Sequence, residues 1–178
     1  GAVSRVLLVP DLALERWPSM DRYAAELARR LDVDVPREAS TIPGPRYLAR
    51  YVRYPRALGR YQPSLVHVAD HSYAHCLRAF PGVPSIVTIH DLYPLSVIGR
   101  QESGRALLRD ALLRWVLTWV RRASRWIAGS EFTAREAVAL LGLPSDRVHG
   151  AGYGVDEAFF KQPSDEAIAA RRRHWLGA

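Results

Sequence analysis

Short apolar runs alternate with amphipathic stretches along almost the whole chain, and no other feature restricts its fold so tightly. The runs are Arg5-Val-Leu-Leu-Val9, Asp32-Val-Asp-Val-Pro36, Ser64-Leu-Val-His-Val68, Pro84-Ser-Ile-Val-Thr-Ile89, Arg125-Trp-Ile-Ala128 and Arg147-Val-His149. The longer ones are continuous and rich in β-branched residues, as strands covered on both faces are. Between them lie helical patterns. Pro18 opens a helix to about Leu31, in which Met20, Tyr23, Ala24, Leu27, Ala28 and Leu31 recur at spacings of three and four. A short helix follows Tyr73. A long one, Arg105 to about Ala123, lines Leu108, Ala111, Leu112, Trp115, Val116, Trp119 and Val120 along one side, and that period reads the two tryptophans as core. Ser130 or Thr133 caps the next helix, which stops at Leu141-Gly142, and Ser164-Asp-Glu166 starts a terminal one. Strand–helix alternation predicts the α/β class: a single three-layer domain with a mostly parallel sheet. Residues 1–160 are expected to form that domain, and 161–178 a linker and terminal helix.

Composition narrows the class further. A chain of 178 residues buries one sizeable core. Cys76 is the single cysteine, so no disulfide framework exists and a reducing, cytoplasmic setting is expected. Gly1-Ala2 stands where an initiator methionine would, which suggests a trimmed chain. The most apolar stretch, Ala106 to Val120, is broken by Arg109, Asp110 and Arg114 and is too short and too polar to span a bilayer. The net charge is +7, with Lys161 the single lysine. Genome base composition alone can produce so arginine-heavy a balance, so net charge is no argument for nucleic acid; the arginines' positions matter more.

His90 stands where the apolar run Ile86-Val-Thr-Ile89 ends, with Asp91 next. Ligands of open α/β sheets bind outside the carboxyl ends of the strands, so an imidazole there is a candidate catalytic group, and Asp91 a group that orients it or the loop. Asp70 and His71 follow another strand in the same way. A metal site from His67, His71, His75 and Asp70 is disfavoured. His67 lies in a strand, off the face of His71, and no cysteine pair assists.

The segment Pro43 to Gln62 has an apolar side of Tyr47, Leu48, Tyr51, Val52, Leu58 and Tyr61. Arginines 46, 50, 53, 56 and 60 fall mostly along another, and no acid occurs in the window. Pro55 must kink or divide any helix here. The segment reads as a solvated helix face or as a basic surface for anionic headgroups or an acidic acceptor, through Arg46, Arg50 and Arg53. Nucleic acid is the weakest reading, since no nucleic-acid fold signature accompanies the charge.

Three ordered pieces resemble the N-terminal half of a GT-B glycosyltransferase of the family 4 type. They are Val87-Thr-Ile-His-Asp-Leu-Tyr-Pro-Leu95, Ile127-Ala-Gly-Ser-Glu-Phe-Thr133, and Tyr153-Gly-Val-Asp156 with Phe159 or Phe160 behind it. Met20-Asp-Arg-Tyr-Ala-Ala-Glu-Leu27 is similar to the family's first helix, so the resemblance covers nearly the whole chain. It implies a Rossmann-like domain that holds the acceptor of a retaining hexosyltransferase, mannosyl or glucosyl. It makes His90 the residue near the transfer site, and Asp70, His71 and Asp91 acceptor contacts. The donor is implied to be a nucleotide-sugar, with no further cofactor and no metal. The acceptor is implied to be a sugar, a polysaccharide or a lipid-linked molecule, placing the protein in the cytoplasm or at the inner membrane face. The family's Glu-x7-Glu signature and donor-binding C-terminal domain are absent from this chain, so the resemblance implies half an enzyme, inactive alone. The family's glycine-rich turn after the first strand is also missing. Pro10 to Met20 contains no glycine, leaving Arg16 or Ser19 as candidate donor-phosphate contacts. Two alternatives stay open. One is a non-catalytic or split subunit that docks on a donor-binding partner or a membrane. The other is a stand-alone nucleotide-binding domain, which would lack both Gly-x-Gly-x-x-Gly and a P-loop.

Overall fold

The computed structural model describes residues 5–92, 104–155 and 157–177. Five parallel strands form one sheet in chain order: β1 (Val6–Val9), β2 (Leu65–Val68), β3 (Ser85–Ile89), β4 (Arg125–Ala128) and β5 (Val148–Gly150). The expected α/β class with a parallel sheet is what the chain adopts. Leu7, Val9, Val66, Val68, Val87 and Ile89 belong to the main core, while Leu8 packs with Ala24 and Ala69 in a second cluster on the other face. That two-sided burial explains why the strands read as continuous apolar runs.

The run Asp32–Pro36 is not a sheet strand. It makes one bridge beside β1: the Leu8 amide donates to the Asp34 carbonyl at 2.9 Å, and the Asp34 amide donates to the Val6 carbonyl at 2.8 Å. Asp32 and Asp34 are solvent-exposed, and Pro36 has no N–H to extend the ladder. The chain therefore passes outside β1 first, then crosses to lay down β2 on β1's other side. That reversal makes the carboxyl ends of β1 and β2 a topological switch point, where crevices of such sheets form.

Helix α1 (Pro18–Arg30) sets Tyr23, Ala24, Leu27 and Ala28 against Leu8 and Ala69. Leu31 lies past its last turn and is exposed. After α2 (Arg37–Ser40) comes α3 (Arg46–Leu48), a π turn (Ala49–Arg53) and α4 (Tyr54–Leu58). Pro55 thus does not break the segment. The Tyr54 amide reaches back to the Ala49 carbonyl, and the widened turn admits the ring. The carbonyls this leaves over are taken by a 3₁₀ helix, His71–Ala79. His75 Nε2 donates to the Arg50 carbonyl at 2.9 Å, and the Arg78 guanidinium donates to that of Tyr51.

Helix α5 (Gly104–Val120) packs on that 3₁₀ helix. Its buried stripe is Asp110, Val116, Leu117 and Val120, with Leu113 partly covered. Leu108 and Ala111, expected to face inward, are exposed. The expected and observed stripes share Val116 and Val120 and differ by about one residue in phase. Trp115 and Trp119 lie at the stripe's edge, where Trp115 meets the rings of Tyr51 and His75. Ser130, not Thr133, caps α6 (Glu131–Leu141), accepting from the Thr133 amide at 3.0 Å. Gly142 ends that helix in the left-handed conformation. Ser164 caps α7 (Asp165–Leu176).

Candidate functional site

His90 follows β3 directly, as its place in the sequence predicts. Its Nε2 lies 2.8 Å from the Ala69 carbonyl at the end of β2, and its Nδ1 lies 2.6 Å from the Tyr153 hydroxyl, beyond β5. Tyr23 of α1 meets the imidazole edge-on, with ring centroids 4.9 Å apart. Three separate segments therefore converge on the ring that β3 carries out. Behind it runs a buried polar line: His67 Nε2 is 2.8 Å from the Thr88 hydroxyl, which is 3.2 Å from the Tyr23 hydroxyl. Burial, with the His90 charge adding to it, pushes the His67 pKa down to about 4, so that ring is neutral near pH 7.

A second polar group sits at the switch point. The Val9–Val68 register carries Asp11 and Asp70 out of β1 and β2 at equal distance from the paired strands. Asp11 is 7% exposed, and its Oδ1 has no hydrogen-bond partner. Burial, then the neighbouring Asp70 charge, raises its pKa to about 8. Asp70 accepts from the Ser72 amide at 2.7 Å and so caps the 3₁₀ helix that begins at His71. His71 is buried. Its Nδ1 lies 3.2 Å from Asp70 Oδ1 but out of line for a hydrogen bond, and burial lowers its pKa against the pull of Asp70. Glu15 and Arg50 close the group with an ion pair of 3.2 Å.

The structure brings His90, Asp70 and His71 to one rim. Asp91 is exposed beside them, and its charge acts on both His71 and Tyr153. Arg16 and Ser19 are exposed on the turn before α1 and on its first turn. Arg16 adopts φ 54°, the left-handed conformation that glycine would supply in a glycine-rich turn. The arginines of the basic segment divide. Arg50 points inward, to Glu15 and to the Ser72 carbonyl at 2.8 Å, so it is not the surface contact expected of it. Arg53 donates to the Pro43 carbonyl at 2.9 Å, and Arg46, 57% exposed, reaches Glu15 at 2.6 Å. His71 and His75 do not share a face, because three residues per turn in a 3₁₀ helix turn the fourth residue away. Among the described residues no group of three or more His, Cys, Asp or Glu is placed to hold a metal ion. Tyr93, Pro94, Leu95 and Asp156 of the quoted motifs lie outside the described residues.

Asp11, Glu15, Tyr23, Thr88, Gly129 and Tyr153 join the site only in the folded structure. One signal is present in the sequence: a threonine, Thr88, inside an otherwise apolar strand end. Gly129 and Tyr153 are linked only in space, where a Cβ at position 129 would overlap the Tyr153 hydroxyl.

The sequence model described as Glycosyltransferase Family 4 matches residues 11–159. The crystal structure of Anabaena HepE in complex with UDP and glucose is similar in fold, with a TM-score of 0.56 at 15% sequence identity. The match covers 97% of this chain and 50% of that one, so the chain spans about half the length of that solved structure. No curated protein sequence matches the chain. The five-stranded parallel sheet with its flanking helices corresponds to the N-terminal half of a GT-B glycosyltransferase.

Proposed function

This chain belongs to glycosyltransferase family 4, and from that premise we propose that it is the acceptor-binding half of a retaining, sugar-nucleotide-dependent hexosyltransferase. The observation that carries the reading is the convergence of three segments on His90 at the carboxyl rim of the sheet. In this reading His90 lies beside the sugar-transfer point, and Asp70, His71 and Asp91 line the acceptor side. HepE holds UDP and glucose in its crystal structure; a nucleotide-linked glucose or mannose is the donor class carried over here. The donor's phosphates fall to the other half of the enzyme. The first turn after β1 has no glycine and sets the buried carboxyls of Asp11 and Glu15 behind it, which disfavours the close approach of a diphosphate. No metal and no further cofactor enter this scheme.

The acceptor is a sugar, a polysaccharide or a lipid-linked molecule. One observation favours membrane proximity: Tyr47, Leu48 and Val52 are exposed beside Arg46, Arg53 and Arg56, with no acid in the segment. In this reading the protein works at the cytoplasmic face of an anionic membrane. No helix among the described residues is long and apolar enough to cross one. Co-sedimentation with phosphatidylglycerol vesicles, absent with neutral vesicles, is the expected result.

The central test uses the purified chain with UDP-glucose or GDP-mannose and saccharide acceptors. No transfer is expected without a donor-binding partner, and calorimetry should detect no tight nucleotide binding. Robust transfer by the chain alone would refute the half-enzyme reading. If transfer stays absent after a donor-binding half is supplied, the non-catalytic docking module becomes the better account.

A further inference from the structure

Both ring nitrogens of His90 are occupied. Nε2 faces the Ala69 carbonyl at 2.8 Å, and a carbonyl can only accept, so Nε2 carries a proton. In the neutral ring Nδ1 is then a lone pair, and the Tyr153 hydroxyl at 2.6 Å is its donor. The two rings lie within 8° of parallel, and Tyr23 stands edge-on to both. Burial, with Tyr23, Asp91 and Asp70 nearby, raises the Tyr153 pKa, so the phenol keeps the proton it donates. Room for that phenol comes from Gly129, the first residue after β4: a Cβ there would occupy the hydroxyl's place.

We propose that Tyr153 is the positioning residue of His90, seated by the missing side chain of Gly129, and that a ligand at this rim meets the phenol oxygen rather than Nδ1. This deepens the acceptor-site reading above and rests on it. The phenol's single proton is committed to Nδ1, so the lone pairs left to it accept. The carboxylates of Asp70 and Asp91 at the same rim also accept. An array of acceptors matches a ligand that donates: the hydroxyls of a neutral sugar or polyol. A phosphate or carboxylate, carrying acceptors alone, is disfavoured there.

Imidazole nitrogen-15 NMR on the chain tests the positioning. Wild-type His90 is expected as the Nε2–H tautomer, with its Nδ1 resonance moved upfield by the accepted hydrogen bond. Tyr153→Phe should move Nδ1 downfield to the unbonded position and leave the tautomer unchanged, because the Ala69 carbonyl remains. Gly129→Ala should do the same by displacing the phenol, with both rings chemically intact. A wild-type Nδ1–H tautomer, or a Tyr153→Phe resonance that does not move, overturns the assignment. Tyr153→Phe removes one oxygen from a half-exposed ring, so it decides the matter even where Gly129→Ala fails to fold. The ligand class is tested by titrating methyl glucoside and inorganic phosphate. The glucoside should perturb the Tyr153 ring signals in wild type, with a smaller effect in Tyr153→Phe. Perturbation by phosphate in its place, or by neither probe, overturns the ligand assignment. Failure of sugar transfer would count against the acceptor-site reading without altering the histidine resonances, so the two can fail separately.

Discussion

Glu15 and Arg50 form an ion pair inside the molecule rather than on it, Oε1 to Nη1 at 3.2 Å with 1% and 14% of the side chains exposed. The Tyr73 hydroxyl donates to the same carboxylate oxygen at 3.2 Å, and Arg46 takes the other at 2.6 Å. The Arg50 guanidinium lies over the Tyr73 ring, 4.2 Å from its centroid. One carboxylate thus ties the turn after β1 to the helical segment 46–58 and to the 3₁₀ helix.

Removing that charge should therefore cost far more than removing an exposed partner. Glu15→Gln keeps the shape and strands a buried guanidinium, for an expected loss of about 3–5 kcal/mol. Arg46→Ala, at an exposed site, should cost about 1 kcal/mol or less. Urea unfolding of the two variants checks the contrast, and equal losses would contradict it. Burial alone would raise the Glu15 pKa, but the Arg46 hydrogen bond and the charges of Arg50 and Arg46 outweigh it and hold the carboxyl below its usual 4.5. A depressed folded pKa means this stability is present above about 4.5 and is lost as pH falls through the folded value.

Asp11 acts in the opposite sense. Its folded pKa is raised from 3.8 to about 8, so between those values the folded chain holds a proton that the unfolded chain has lost. Its contribution is fully present below about 3.8 and declines as pH rises toward 8, by at most about 1.4 kcal/mol per pH unit. Asp11→Asn cannot titrate. Denaturation at pH 5 and pH 8 should show a flatter response for the variant, and the variant should be the more stable protein at pH 8. Identical slopes would reject the assignment. On the acid side, burial holds His67 and His75 at about 4 in the fold against 6.5 when unfolded, so both lower stability as pH falls from 6.5 to 4.

The sheet was legible because burial on both faces leaves continuous apolar runs, as in Ile86–Ile89, and because Ser130, Gly142 and Ser164 mark helix ends chemically. His90 was legible from its place alone, since a strand end needs no tertiary information. Its partners were not. Tyr23 looks like any member of an apolar stripe, and Tyr153 becomes a neighbour of His90 only once β4 and β5 lie beside β3. The inward turn of Arg50 is illegible for a related reason: an acid-free segment reads as solvated until a distant carboxylate, here Glu15, supplies the counter-charge. The phase of α5 is not legible because the buried stripe includes the charged Asp110 and so reads as the less apolar of two stripes that share Val116 and Val120; packing on the 3₁₀ helix selects it.

Pro55 and His75 should be coupled. The π turn and the missing proline N–H leave the Arg50 carbonyl to His75 Nε2, at 2.9 Å. His75→Phe removes that donor and should cost about 1–3 kcal/mol, the range for orphaning a buried acceptor. In a Pro55→Ala background the segment can return to ordinary helical hydrogen bonding, and the Tyr54 amide can take up the Arg50 carbonyl. The same His75→Phe change should then cost less. A double-mutant cycle by urea unfolding measures the difference, and strict additivity would show that the two residues do not serve the same backbone group.

His90 and His67 make the sharpest functional contrast, because both are histidines of adjacent strands with opposite surroundings. His67 is 6% exposed, neutral and bonded to Thr88, inside the sheet. His90 is at the rim, with one nitrogen on backbone and the other on a half-exposed phenol. When the chain is assembled with a donor-binding half, His90→Ala should lower kcat by about 10²- to 10³-fold, the range for losing a preorganised hydrogen-bonding group at a reacting centre, because the imidazole fixes the Tyr153 phenol that faces the ligand. Tyr153→Phe should lower it by a comparable factor, since it removes the phenol oxygen that faces the ligand and frees Nδ1 of its donor. His67→Gln should reduce stability in urea and leave kcat within about threefold, because its ring reaches the rim only through Thr88 and Tyr23 and a loss confined to packing spares preorganisation at the centre. Steady-state kinetics on the three variants decides the assignment. Turnover unchanged by His90→Ala would take His90 out of the transfer site, and a kcat collapse in His67→Gln as large as that in His90→Ala would make the buried polar line, not the rim, the seat of the chemistry.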